Sequence, residues 1–307
     1  MKNRLITVIG IVSLLGPTLP AQAWFATQGH DEITRTAVAL LPVASPGCNG
    51  REVTEACWTS LFRLEAEALA GASVAPDLFK PRQAAPQLDA QENPEHYVDL
   101  ELFAGRSLPA QRYEYFAALR EVGVAPERIG VLPYAITEWT QRLTVTFAQL
   151  RRDPLSPGLR AQSVILAGIL SHYAADLAQP LHTSIHHNGR ALPPDYESPR
   201  TGIHYAIDGV LGKTSPTLPP DAPVAEPFED LWTAVLTQLA ESHSHVTTVY
   251  SFETAPASGE IDLESEAVRA FAQERFEIAT RFVARLWVTA WEDSAEMTLP
   301  GWYAGGP

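Results

Sequence analysis

Apolar residues recur at spacings of three and four along most of this chain, the period of a helix with one buried face. The pattern predicts helices over residues 30–41, 56–69, 109–121, 132–151, 159–178, 204–211, 225–252 and 263–297. Runs of Val, Ile and Leu seldom alternate with polar residues at period two, so strands are expected to be few. Pro180, Pro193, Pro194 and Pro199 turn residues 180–202 into an irregular loop, and Pro216, Pro219 and Pro220 do the same further on. No internal repeat, low-complexity tract or linker divides the chain. The expectation is one all-α domain over residues 24–307, with long loops that need something to fix them. Metal coordination is one such device.

Residues 1–23 stand apart. Lys2 and Arg4 open them, an apolar run from Leu5 to Leu15 follows, and Ala21-Gln22-Ala23 has the small-x-small form of a cleavage site. The run is shorter than the roughly 20 residues that cross a bilayer, so it reads as an export signal rather than an anchor. The mature chain is therefore expected in the periplasm or outside the cell, without a transmembrane segment. With no Cys near the cleavage site, a lipid anchor is not expected. Losing the signal removes two cations and no acid, which moves the formal charge from −14 to −16. So acidic a surface argues against broad electrostatic binding of nucleic acid, although bound divalent cations would offset it locally. Cys48 and Cys57, the only cysteines, lie close together in a Gly- and Pro-containing stretch and are expected to pair in an oxidising compartment. A metal site on them would need a second close Cys pair, which the chain lacks.

The chemistry concentrates in His172-Tyr-Ala-Ala-Asp176-Leu-Ala-Gln-Pro-Leu-His182. Four residues apart, His172 and Asp176 share one face of a helix. Ile165, Leu166, Ile169, Leu170, Tyr173 and Leu177 surround them with an apolar stripe, where an imidazole and a carboxylate need a partner. A metal ion is one, a mutual hydrogen bond another. Pro180 then ends the helix and lets His182 turn back. His204 and Asp208 repeat the four-residue spacing. With His182 they bring the potential ligands beyond what one tetrahedral zinc needs, which favours a site of more than one ion over coincidence. Upstream, His30 opens the first helix, Asp77 lies in Ala75-Pro76-Asp77, and His96 lies in Pro94-Glu95-His96. Each of these alone reads equally as a cap or a surface residue. Cleavage after Ala23 would give Trp24 a free α-amine with a pKa of roughly 7.7–8.0, able with its own carbonyl oxygen to chelate a cation; otherwise Trp24 is an apolar anchor.

With these residues assembled, the chain resembles the superfamily of zinc-dependent phospholipases C and single-strand-specific nucleases. Trp24, His30, Asp77, His96, His172, Asp176, His182, His204 and Asp208 follow the family's order, and Arg285-Leu-Trp-Val-Thr-Ala-Trp291 resembles its closing helix. The resemblance implies a helical fold with three zinc ions. Asp77, His96, His172 and Asp176 would hold one; His182, His204 and Asp208 a second; Trp24 and His30 the third, bridged by Asp176. It further implies a phosphodiester hydrolase in which zinc activates water, with Asp77 as a candidate proton acceptor and no stable protein partner. His186 and His187 fall on the pocket rim or surface. Phospholipid and single-stranded nucleic acid both suit such a site. Asp208 in the closing position points to the nuclease branch. The Pro-Leu-His-Thr wording followed by His-His-Asn-Gly points to the phospholipase C branch, which is the slight preference. A non-catalytic protein that uses zinc only to brace its loops is the third reading.

Overall fold

The computed structural model describes residues 28–81, 83–193 and 196–304; the expected signal segment and Trp24 lie outside the described residues. The long amphipathic stretches fold as helices close to where their period puts them, chiefly Leu132–Leu150, Pro157–Ala178 and Glu266–Asp293. Among the described residues there is no strand, only isolated bridges such as Val98 with Gly130. The fold is all-α. No helix among the described residues is long and apolar enough to cross a membrane.

Pro157–Ala178 is the central element. It starts cleanly, with Pro157 at the first position and the Ser156 hydroxyl accepting from Leu159 N. Its second half is buried on all sides, packed on Ala66–Ser73, Leu132–Leu150 and Glu266–Asp293, with His30–Ala37 closing the bundle. Trp58 stacks on Trp291 with centroids 5.2 Å apart, and Phe62 meets Trp287 edge-on at the same distance. Each such buried ring contributes about 1.5–3 kcal/mol by transfer alone. The Trp287 indole N–H donates to Ala167 O at 3.0 Å, so the ring enters the core without an unpaired donor.

Tertiary contacts redraw several predicted boundaries. Residues 56–69 are not one helix. Trp58–Leu64 and Ala66–Ser73 are separated at Glu65, whose φ of −103° and ψ of 23° leave the helical region. The break redirects Ala66–Ser73 so that it crosses the central helix at Gly168, where a Cβ would lie 2.5 Å from Ala72 Cβ and 2.6 Å from Leu69 O. The helix expected from 225 begins only at Leu231, past Pro227, with the Asp230 carboxylate capping Thr233 N at 2.8 Å; it ends at Ser244, and Val246–Tyr250 follows separately. Residues 204–211 divide into Ile203–Asp208 and Val210–Thr214. The 109–121 helix shifts to Arg112–Val122, ended by Gly123 at φ 75°. Short helical pieces at Ala75–Leu78, Asn93–His96 and Pro180–Thr183 are too brief for periodicity to register, yet they carry Asp77, His96 and His182. Cys48 and Cys57 form a disulfide with Cα atoms 5.3 Å apart.

Candidate metal centre

The candidate ligands within the described residues converge. His30, Asp77, His96, His172, Asp176, His182 and Asp208 are buried, and the His204 side chain is 16% exposed. They fall into three groups whose ligand atoms lie within 4.8 Å of one another: His30, His172 and Asp176; Asp77, His96 and His172; and His182, His204 and Asp208. Such groups can hold metal ions. The ninth candidate position in the reading of the chain, Trp24, lies outside the described residues.

Local structure aims the rings. His172 Nδ1 donates to Ser73 O at 2.7 Å. That carbonyl lies at the C-terminal end of Ala66–Ser73, among those left unpaired by the helix itself, and it reaches His172 because the helices cross closely at Gly168, one turn earlier. His182 Nδ1 donates to His96 O at 2.7 Å, and His204 Nδ1 to His187 O at 3.0 Å. In all three rings the backbone takes Nδ1; Nε2 of His172 then faces Asp176 and Nε2 of His204 faces Asp208, while His182 Nε2 is left free, the arrangement by which an outer carbonyl orients a metal-binding histidine. His182 Nε2, His30 Nδ1 and Asp77 Oδ2 are buried with no hydrogen-bond partner. Buried polar atoms without partners are costly, and a cation among them would satisfy them. The donor set of imidazole nitrogens and carboxylate oxygens suits zinc.

Asp176 is the hub. Fully buried, it has His96 Nδ1 at 3.0 Å, His30 Nε2 at 3.3 Å, His172 Nε2 at 3.4 Å and His182 Nδ1 at 3.5 Å. Burial works against its charge, but His182 and His172 and the hydrogen bonds from His30 and His96 outweigh it and hold its pKa well below the ordinary value. Burial keeps His172 and His182 below the ordinary histidine value, in the neutral form a metal requires. Burial also opposes protonation of His30 and His204, but the adjacent Asp176 and Asp208 prevail and raise both. Burial opposes the Asp77 charge, but its interactions with His172, Lys80, His30 and His96 prevail and push it down to about 2.

Supporting residues escaped the sequence reading. Lys80 Nζ lies 2.6 Å from Asp77 Oδ1, one turn along. Gln179, fully buried, donates from Nε2 to Asp208 Oδ1 at 2.9 Å and accepts Leu181 N on Oε1 at 2.5 Å. Its backbone continues the link: Gln179 N donates to Asp176 O and Gln179 O accepts His182 N, both at 3.0 Å. One residue thus ties the backbone at Asp176 and His182 to the Asp208 carboxylate. Lys80 had a signal, its one-turn spacing from Asp77. Gln179 had only its place between Asp176 and His182.

A cavity opens on the groups, with His96, His182 and His204 in its wall beside Lys80, Arg128 and Tyr196. His187 also lines it, as a rim residue should, and burial lowers its pKa to about 4. His186 is half-buried and accepts Ala191 N on Nδ1, a loop contact away from the cavity wall. No protein-family model matches the chain, and no curated protein matches it.

Proposed function

We propose that this chain is an exported zinc-dependent hydrolase of phosphoric diesters, of the phospholipase C and single-strand nuclease type, holding three zinc ions. The observation that carries the proposal is the set of imidazoles whose Nδ1 atoms donate to backbone carbonyls, leaving the Nε2 atoms of His172 and His204 facing buried carboxylates and that of His182 buried without a partner. Asp77, His96, His172 and Asp176 would hold one ion, His182, His204 and Asp208 another, and His30 a third with Trp24. When bound, zinc supplies Lewis acidity towards a phosphate ester and lowers the pKa of a water molecule towards neutrality.

The chain's own residues do the rest. Asp176 fixes the spacing of the His30, His96 and His172 rings. Gln179 keeps one oxygen of Asp208 occupied, so that the other remains directed at His204. Lys80 holds Asp77 anionic and adds a positive charge in the cavity wall where a phosphate would enter. The Cys48–Cys57 disulfide suits an oxidising compartment. Phospholipid is the first substrate proposed, on the wording of residues 180–189. Single-stranded nucleic acid is the second, favoured by a cavity wall that combines Lys80, Arg128 and Arg200 with the aromatic faces of Tyr97 and Tyr196.

The test is to count zinc in the purified mature protein and assay it on phosphatidylcholine, single-stranded DNA, RNA and a chromogenic phosphodiester. Turnover lost in His182→Ala with helicity retained is the expected result. A zinc-free protein, or one that hydrolyses none of the panel, overturns the proposal. Collapse of the whole fold on the same substitution would favour zinc as a brace.

A further inference from the structure

The wall of the cavity also carries a buried carboxyl group that lies outside the metal groups. Asp99 is only 7% exposed, it lines the cavity, and its Oδ1 has no hydrogen-bond partner. Its position is fixed on both sides. Val98 N donates to His182 O at 2.8 Å, Asp99 N to Ile129 O at 2.7 Å, and Leu132 N to Tyr97 O at 3.1 Å. The stretch lies so close to Gly130 that a Cβ there would sit 2.1 Å from Tyr97 O. Asp99 is therefore held in a fixed relation to His96 and His182, on the same wall, with an unused polar atom.

Resting on the hydrolase reading above, we infer that Asp99 is the recognition group of a subsite for an uncharged, hydroxylated ester arm of the substrate, such as a polyol. A hydroxyl can both donate to and accept from a carboxyl group, and so satisfy an oxygen that the protein leaves alone. An acyl or alkyl arm has nothing to offer that oxygen, which stays buried and unpaired as it is in the free protein, so a hydroxyl gains about one hydrogen bond, worth roughly 2- to 12-fold in affinity. A quaternary ammonium arm has no hydrogen to donate to that oxygen. Burial, reinforced by Glu101 and only partly offset by Arg128, pushes Asp99 up to about 8. The neutral carboxyl that results is suited to a neutral hydroxyl rather than to a cation.

The experiment compares two diesters with the same leaving group, glyceryl 4-nitrophenyl phosphate and ethyl 4-nitrophenyl phosphate, on zinc-loaded full-length mature protein. The wild type should favour the glyceryl arm by about tenfold in kcat/KM. Asp99→Leu should erase that preference with unchanged zinc content and an unchanged rate on the ethyl ester, and Asp99→Asn, which keeps a hydrogen-bonding group of the same size, should retain part of it. The same ratio in wild type and Asp99→Leu overturns the inference. Calorimetric Kd values for glycerol 1-phosphate and ethyl phosphate ask the question without turnover. If neither diester is cleaved but glycerol 1-phosphate binds more tightly in an Asp99-dependent way, the hydrolase reading falls and the subsite stands. Equal Kd values remove the subsite, whatever the activity.

Discussion

Replacing Gln179 by Leu keeps the volume of a fully buried side chain and deletes its amide. Two partners are then stranded in the interior: Leu181 N, which had Oε1 at 2.5 Å, and Asp208 Oδ1, which had Nε2 at 2.9 Å. Each unsatisfied buried group costs about 1–3 kcal/mol. Leu recovers part of that through its own burial, which leaves a net loss of about 2–4 kcal/mol in the metal-free protein. The second consequence concerns Asp208. Freed from the amide, it can turn either oxygen towards His204 Nε2, now 3.1 Å from Oδ2. Loss of such an orienting contact weakens a metal site by about 10- to 100-fold. Chelator-competition titration with zinc counting should find the weakened ion at the His182, His204 and Asp208 group and the remainder unchanged, and chemical denaturation in excess chelator should read the stability term. Gln179→Glu separates the two effects: it keeps an acceptor for Leu181 N but sets a second carboxylate against Asp208. If Gln179→Leu binds zinc as the wild type does and unfolds within about 0.5 kcal/mol of it, a variation typical of ordinary surface changes, the role assigned to Gln179 is wrong.

Further expectations concern the frame around the site. Arg275 is fully buried and gives both terminal nitrogens to Glu241, at 2.9 and 2.7 Å; Glu241→Gln should cost about 3 kcal/mol, the low end for breaking a buried pair because the Glu241 side chain is partly exposed. Burial opposes the Glu241 charge, but Arg275 prevails and holds its carboxyl below the ordinary 4.5. The pair therefore contributes fully above pH 4.5 and fades as pH falls through the folded value, so denaturation curves of wild type and variant should converge in acid; a gap that widens there would contradict the assignment. Gly130→Ala forces a Cβ into a φ of 84° and ψ of 171° and should cost at least about 1–3 kcal/mol, together with weaker zinc binding at the His96 group, measurable by the same titration. Cys48→Ser with Cys57→Ser opens a loop of sequence separation 9; stability should drop by about 2–3 kcal/mol with zinc content unchanged, and a loss of zinc would tie that loop to the centre.

The bundle was legible in the chain because a buried helical face needs apolar residues every three or four positions, and helix 132–150 and the central helix show little else. The breaks were not. Glu65 is an ordinary helix former, and only the crossing at Gly168 gives the chain a reason to turn there. The convergence of His172 with Asp176 was readable because a carboxylate and an imidazole inside an apolar stripe are costly without partners. Lys80, Gln179 and Asp99 carried no such contrast. Lys and Gln are commonplace on helix surfaces, and Asp99 stands in a short extended stretch whose burial depends on Gly130, distant in sequence. A pattern along the chain reports what each residue is, and only the folded arrangement reports whose hydrogen bond it completes.

The absence of a side chain at position 168 has a practical consequence. The tilt between two helices and the pitch of the His172 ring are set by the same atoms, so a change in one propagates to the other. A designer who copied only these histidines and aspartates onto a different bundle would obtain the right inventory with the wrong aim. The helix crossing would have to be transplanted as well.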